Sequence, residues 1–255
     1  RSNWWGTVNS GQIESEIYHY PDNNSRCPTV LYTPFLSNSP GCAIYNVSDS
    51  PDPFSPNGDG RGDGARIQAK VTGQSDFTIQ VKNPSNAVVR TFVMHTFESI
   101  DWTWDGRDSN ALAVADGTCT YLLDAVDTSN GVHAAQVSGT ADLDTRIDEA
   151  LLTSPVTGAV AGVVSVKGLA NDLHWGDGSW GLPVAVHYGL GANPSSWTRI
   201  WYSYSPVVRD AYGQVPQICT WDTTVIPNGP CVVRLDVWDR AGNLQRVDVP
   251  VTIYN

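Results

Sequence analysis

The stretch NGDGRGD sets Asn57, Asp59, Arg61 and Asp63 at alternate positions, with Gly58, Gly60 and Gly62 between them. Side-chain oxygens at 57, 59 and 63, with the carbonyl oxygen of Arg61, would make a partial EF-hand-like shell. Calcium takes six to eight such hard oxygens at about 2.4 Å. Glycine permits the left-handed backbone by which so short a loop curls around an ion. Asp52 and Asp105 are the candidates to complete the shell, so the cofactor this loop suggests is Ca2+. The same spacing also suits an Asx-rich turn without metal. Residues 61–63 spell RGD, a weak adhesion signal that here lies inside the candidate metal loop. A second acidic run, DLDTRIDE, carries Asp142, Asp144, Asp148 and Glu149. It offers either a calcium site at a domain junction or a solvated charged linker.

Other chemistry is thinner. Trp175 and Trp180, with His174 in LHWGDGSWG, could form a flat aromatic platform for the apolar faces of sugars, or simply pack over a sheet edge. The five histidines (19, 95, 133, 174, 187) show no zinc-type spacing, and there is no G-x-S-x-G elbow or phosphate-binding glycine loop. The residues therefore point away from an enzyme. The five cysteines suggest two local disulfides, Cys27–Cys42 and Cys219–Cys231, each worth about 3 kcal/mol for such short loops, with buried free thiols as the alternative. Cys119 is left over and shares strand parity with Tyr121, Leu123 and Ala125, which makes it a small core residue. Disulfides would imply an oxidising compartment.

The elements that must position these residues are strands. RIQAKV places Ile67, Ala69 and Val71 on one face, and DFTIQVK does the same with Phe77, Ile79 and Val81. Short runs of this kind recur about every ten residues between turn signals such as NPSN, the pattern of a β-sandwich. RIDEALLTSP interrupts the pattern as a linker, and a second strand series follows. In CVVRLDVWD the inward set is Cys231, Val233, Leu235 and Val237, which turns Trp238 outward. In the last strand Val247, Val249, Val251 and Ile253 point in, and Pro250 requires a border with solvent or a partner. The expected fold is all-β, two tandem Ig-like β-sandwiches over 51–145 and 146–255, behind an irregular, short-helical segment over 1–50. The net charge of −11 and isoelectric point near 4.6 exclude nucleic acid and anionic membrane surfaces as partners. No apolar run approaches the roughly 18 residues of a spanning helix, which argues against membrane insertion.

Three segments carry resemblances. DPFSPNGDGRGD (52–63) with WDGRDSNALAVADGTCTYLLDA (104–125) resembles the Ig-like repeat of the flagellar hook-capping protein family. LTSPVTGAVAGVVSVKGLAND, YGLGANPSSWTRI and WDTTVIPNGPCVVRLDVWDRAGN resemble bacterial Ig-like repeats of large surface proteins, from which LHWGDGSWG departs. NWWGT, SGQIESEIYHY and VLYTPFL resemble the closing cap of a right-handed parallel β-helix whose coils are absent here. The first two imply a non-catalytic spacer or assembly module, secreted and displayed on a bacterial cell surface. The third implies that Trp4, Trp5, Ile13, Ile17, Tyr32 and Phe35 must cover some other surface, either the chain's own or a partner's, with Trp238 as a further partner-facing aromatic. It also implies a chain that is a fragment or begins at a cleavage point. The function read from these features is a stalk or filament subunit joined through its N-terminal segment to copies of itself or to other modules. The alternatives are a glycan-binding surface module and a non-catalytic tail of a larger β-helix polysaccharide-active enzyme.

Overall fold

The computed structural model describes residues 9, 12–13, 41–96 and 99–255. Trp4, Trp5, Ile17, Cys27, Tyr32 and Phe35 lie outside them. Of the N-terminal segment, Ile13 is helical and buried, and its N–H donates to the Asn9 carbonyl. The Asn9 side chain accepts from the Gln12 N–H, as a helix N-cap does.

The chain forms two sandwiches in tandem, nearly all of it strand and loop. In the first, β1 (Ile44–Ser50), β2 (Ala65–Val71) and β5 (Ser99–Trp104) make one sheet in the order β1-β2-β5. It faces a second sheet of β3 (Ser75–Lys82), β4 (Val88–Thr96), β6 (Gly117–Asp127) and β7 (Val137–Leu143), ordered β4-β3-β6-β7. The alternation is followed closely: Ile67, Ala69, Val71, Phe77, Ile79, Val81, Cys119, Tyr121, Leu123 and Ala125 all enter one core. Each fully buried aliphatic side chain of this kind contributes about 1.5–3 kcal/mol of transfer free energy. Phe54 and Trp104 close the core edge to face, with ring centroids 5.5 Å apart.

The second sandwich pairs a sheet of β8 (Glu149–Ser154), β10 (Val163–Asn171) and β13 (Gln217–Asp222), ordered β13-β10-β8, with a five-stranded sheet. The larger sheet runs β12-β11-β14-β15-β9, from β9 (Gly158–Val160), β11 (Val184–Leu190), β12 (Thr198–Ser203), β14 (Gly229–Trp238) and β15 (Leu244–Ile253). Cys231, Val233, Leu235 and Val237 are buried in its core. On β15, Val251 and Ile253 are buried while Val247 and Val249 are only partly so. The short β9 pairs with β15 only over Val251–Ile253. Pro250 therefore sits where that side of β15 has no neighbour, and its missing N–H breaks no ladder.

Three expectations need correction. Residues 44–50, assigned to the N-terminal segment, are the first strand of the first sandwich. Its burial pattern is irregular because the register shifts between Tyr45 and Ser48 and Asn46 has φ 52°, so no clean alternation marks it. RIDEALLTSP is mostly not linker: Glu149–Ser154 is a strand, and the connection shrinks to residues 144–148. Cys42, Cys119, Cys219 and Cys231 are free thiols, so neither expected disulfide is formed. Cys42 turns into the first core, its Sγ 3.6 Å from Ser75 Oγ and 3.8 Å from the Ala125 carbonyl. Cys219 lies half-buried opposite Val166 on β13, while Cys231 points into the core from the other sheet. These thiols act as small apolar groups, and burial pushes Cys119 and Cys219 up to about 11.

Candidate functional site at the domain junction

The two sandwiches meet where β7 ends. The segment before the glycine-rich loop lies along β7: Phe54 N–H donates to the Asp142 carbonyl at 2.9 Å, and Asp144 N–H to the Phe54 carbonyl at 3.1 Å. Ser55 N–H then donates to the Gly62 carbonyl at 2.8 Å, which draws the loop closed. Within it the side chains serve the loop's own backbone. Asp63 accepts from the N–H groups of Gly58 (2.7 Å) and Gly60 (2.8 Å), Asn57 from Asp59, and Asp59 from Arg61. Asp52 accepts the Asp142 N–H and Asp105 the Arg107 N–H. This is the Asx-turn geometry. Among the described residues, Asp52, Asp59, Asp63 and Asp105 form no set of three carboxylates within ligand reach of one another.

What the loop presents to the second sandwich is Arg61. Its guanidinium lies 4.9 Å from the Trp238 ring centroid and 6.0 Å from that of Trp180, so it sits against two indole faces. The backbones also nearly touch. A Cβ on Gly62 (φ +62°) would come within 3.2 Å of the Ala241 carbonyl oxygen, and one on Gly242 (φ +99°) within 3.3 Å of the Arg61 carbonyl oxygen. Both positions need glycine for conformation and for room. Trp175, Trp180 and Trp238, expected to bind sugar or a partner, are thus engaged by their own chain. Trp180 Nε1 donates to the Arg240 carbonyl at 3.0 Å and Trp175 Nε1 to the Tyr204 carbonyl at 2.8 Å. Trp238 faces outward from β14 as its register demands, but its neighbour is Arg61.

Behind this contact lies Asn243, in the turn between β14 and β15 and only 5% exposed. Its Oδ1 accepts from Ser55 Oγ at 2.7 Å and Asn57 Nδ2 at 3.4 Å; its Nδ2 donates to the Asp144 carbonyl at 2.9 Å and Asp239 Oδ2 at 2.6 Å. An amide offers two acceptor and two donor positions, and all four are filled. One side chain therefore joins the first sandwich, the connection and the second sandwich.

Beside it, carboxylates gather. Asp144, Asp172 and Asp239 are all buried. Asp172 accepts from the N–H groups of His174 (2.6 Å) and Asp148 (2.9 Å), and Asp148 accepts the Leu173 N–H in return. His174 lies between two acids, with Nδ1 2.9 Å from Asp144 Oδ2 and Nε2 3.3 Å from Asp142 Oδ2. Burial raises Asp144 and Asp172, and pushes Asp239 up to about 6. Burial pulls His174 down, but the hydrogen bonds and charges of Asp144 and Asp142 outweigh it and leave it raised. Of the second acidic run, Asp142, Asp144 and Asp148 belong to this cluster, whereas Glu149 lies 3.7 Å from Arg209 on another side. Asp172, Asp239 and Asn243 were missed by the sequence reading. The signal available was that each falls at a strand boundary, Asp172 and Asp239 just after β10 and β14 and Asn243 just before β15, in LANDLHW and WDRAGN.

No protein family matches the chain, and no curated protein does. Solved structures do resemble it. A structure concerned with host cell surface retention of a 1.5-MDa bacterial ice-binding adhesin shares 16% identity with a TM-score of 0.39, over 83% of this chain and 62% of that one. A tetra-tandem repeat from the extending region of a large adhesion protein shares 15% (TM-score 0.28), over 84% of this chain and 49% of that one. The chicken CNTN1 FN1–FN3 domains share 8% (TM-score 0.33), over 83% and 68%. The chain spans less than two thirds of both adhesin structures. At these identities the likeness concerns the β-sandwich fold alone.

Proposed function

We propose that this chain is a non-catalytic structural module of an extracellular, cell-surface protein, a spacer whose two sandwiches are held at one fixed angle. The observation that carries the reading is Asn243, whose buried amide is fully hydrogen-bonded only when both sandwiches and the connection occupy these positions. A module that must transmit position or tension needs such a joint; one that only links independent domains does not. The acids that gather in the junction are tied to backbone N–H groups and to His174, an arrangement suited to holding. The free thiols remove disulfides as a reason for an oxidising compartment, so the location rests on the architecture and on the sequence resemblances. Joining to copies of itself or to other modules would use the N-terminal apolar residues, of which Ile13 is buried and Trp4, Trp5, Ile17, Tyr32 and Phe35 lie outside the described residues.

Rigidity is the testable core of this reading. Residual dipolar couplings should fit a single alignment tensor across both sandwiches, and replacing Arg61 and Asn243 together with Ala should split it into two. A wild-type chain that already requires two tensors would defeat the proposal.

A further inference from the structure

The junction also contains chemistry that merely joining two sandwiches does not require. One carboxylate oxygen each from Asp144 and Asp172 and a ring nitrogen of His174 lie within 4.8 Å of one another. Both carboxylates are more than nine-tenths buried, at 7% and 6% exposure. Among the described residues the ion pairs of Asp142 and Asp144 are both with His174, and none is found for Asp172 or for the neighbouring buried Asp239. A single imidazole thus faces several buried acids, a balance that invites a cation. Two further features point to a ligand. Asp142 Oδ1 is buried without a hydrogen-bond partner, on the carboxylate that abuts His174 Nε2. A cavity of about 170 Å³, lined by Asp116, Asp144, Asp148 and His174 among others, gives two of the three, Asp144 and His174, access to solvent and room for water. Arg146, also at this cavity, is mostly exposed and lies 3.6 Å from Asp116, away from the trio.

We propose that Asp144, Asp172 and His174 bind one divalent transition-metal ion of the zinc class. Two carboxylate oxygens and an imidazole are a donor set such ions accept, with a water from the cavity in the remaining position. The imidazole selects against calcium and magnesium, which take oxygen shells. His174 would bind through Nδ1, the nitrogen turned towards Asp144, releasing the proton it shares there. Nε2–H would stay on Asp142, the outer carboxylate that orients a ligating histidine. The ion would fasten the connection, through Asp144, to the loop after β10 that carries Asp172 and His174. This site is independent of the structural role proposed above, since a rigid joint can exist without metal and a metal site without rigidity.

The test uses tag-free full chain, stripped with a chelator and titrated with zinc chloride, with calcium chloride in parallel. Calorimetry and elemental analysis after desalting should find one zinc per chain, and X-ray absorption at the zinc edge should show scattering from one imidazole. His174→Gln and Asp172→Asn should each weaken zinc binding about a hundredfold or more, while His133→Gln, at an exposed position, should not. Absence of stoichiometric zinc in the wild type overturns the proposal, as do unchanged binding in both variants, a zinc edge without imidazole, and calcium binding in place of zinc. If the variants fail to fold, the wild-type edge spectrum decides alone.

Discussion

Replacing Asn243 with Ala should destabilise the chain by about 3–5 kcal/mol, and the figure follows from what is left behind. The Ser55 hydroxyl, fully buried, loses its acceptor at 2.7 Å, and the Asp144 carbonyl loses its donor at 2.9 Å. Each buried neutral group stranded in this way costs about 1–3 kcal/mol. Asp239 keeps the residue 243 N–H on Oδ1 but loses the side-chain donor 2.6 Å from Oδ2, a charge-assisted bond of roughly 1.5–3 kcal/mol. Water entering the vacated space would recover part of the sum. The control is Asn228→Ala. Asn228 also makes two hydrogen bonds, to the Asn255 carbonyl at 3.1 Å and from the Asn255 N–H at 2.9 Å, but it is exposed, so water replaces them. That change should cost under about 1 kcal/mol. Urea denaturation followed by tryptophan fluorescence measures both. If Asn243→Ala falls within about 1 kcal/mol of wild type, or matches Asn228→Ala, the junction is not the buried polar lock described.

A pH effect should come from His187, on the outer face of β11. Burial lowers its pKa from the ordinary 6.5, Asp236 opposes this, and Arg199 and Arg234 add to it. The folded state therefore holds the neutral ring; that stability is complete above pH 6.5 and is lost as the pH falls through the depressed folded value. Urea midpoints at pH 7.5 and 5 should show wild type losing ground to His187→Gln on acidification, and parallel behaviour would refute the assignment. The thiols give the second check. Cys119 and Cys219, pushed up to about 11, should resist iodoacetamide at pH 8 in the native state and react without prior reduction once unfolded. A Cys219–Cys231 peptide pair in the unreduced digest would show that the disulfide forms after all.

The fold was legible in the sequence because burial in a sandwich has period two. RIQAKV, DFTIQVK and CVVRLDVWD each place alternate residues on one face, and no distant information is needed to see it. Two strands escaped: β1, whose register shift and positive-φ Asn46 break the alternation, and β8, read as linker, whose pairing with β10 shifts register between Lys167 and Gly168. The junction was not legible, because its partners are remote in sequence: Ser55 and Asn243 are separated by 188 residues, and Asn243 and the Asp144 carbonyl donor–acceptor pair by 99. The glycine-rich loop was noticed for its carboxylates, which cap its own turns, while its outward contact is made by Arg61. Local spacing reports what a loop can do for itself, and the side chain that reaches another domain leaves no local pattern.

The polar character of the junction has a physical reason. An apolar patch between two sandwiches would hold them together but tolerate sliding, since burial is nearly indifferent to direction. The bonds of Asn243 add only about 1 kcal/mol each when made, yet each buried partner left unmade costs as much or more. Their effect is therefore less to strengthen the correct arrangement than to penalise every other one. Gly62 and Gly242 sharpen that penalty, because both hold a positive φ and a Cβ at either would crowd the facing carbonyl oxygen at 3.2 or 3.3 Å. Arg61 closes the remaining freedom by demanding two indole faces at once. A joint built this way fixes an angle, and for the spacer proposed above the angle is the property that has to be preserved.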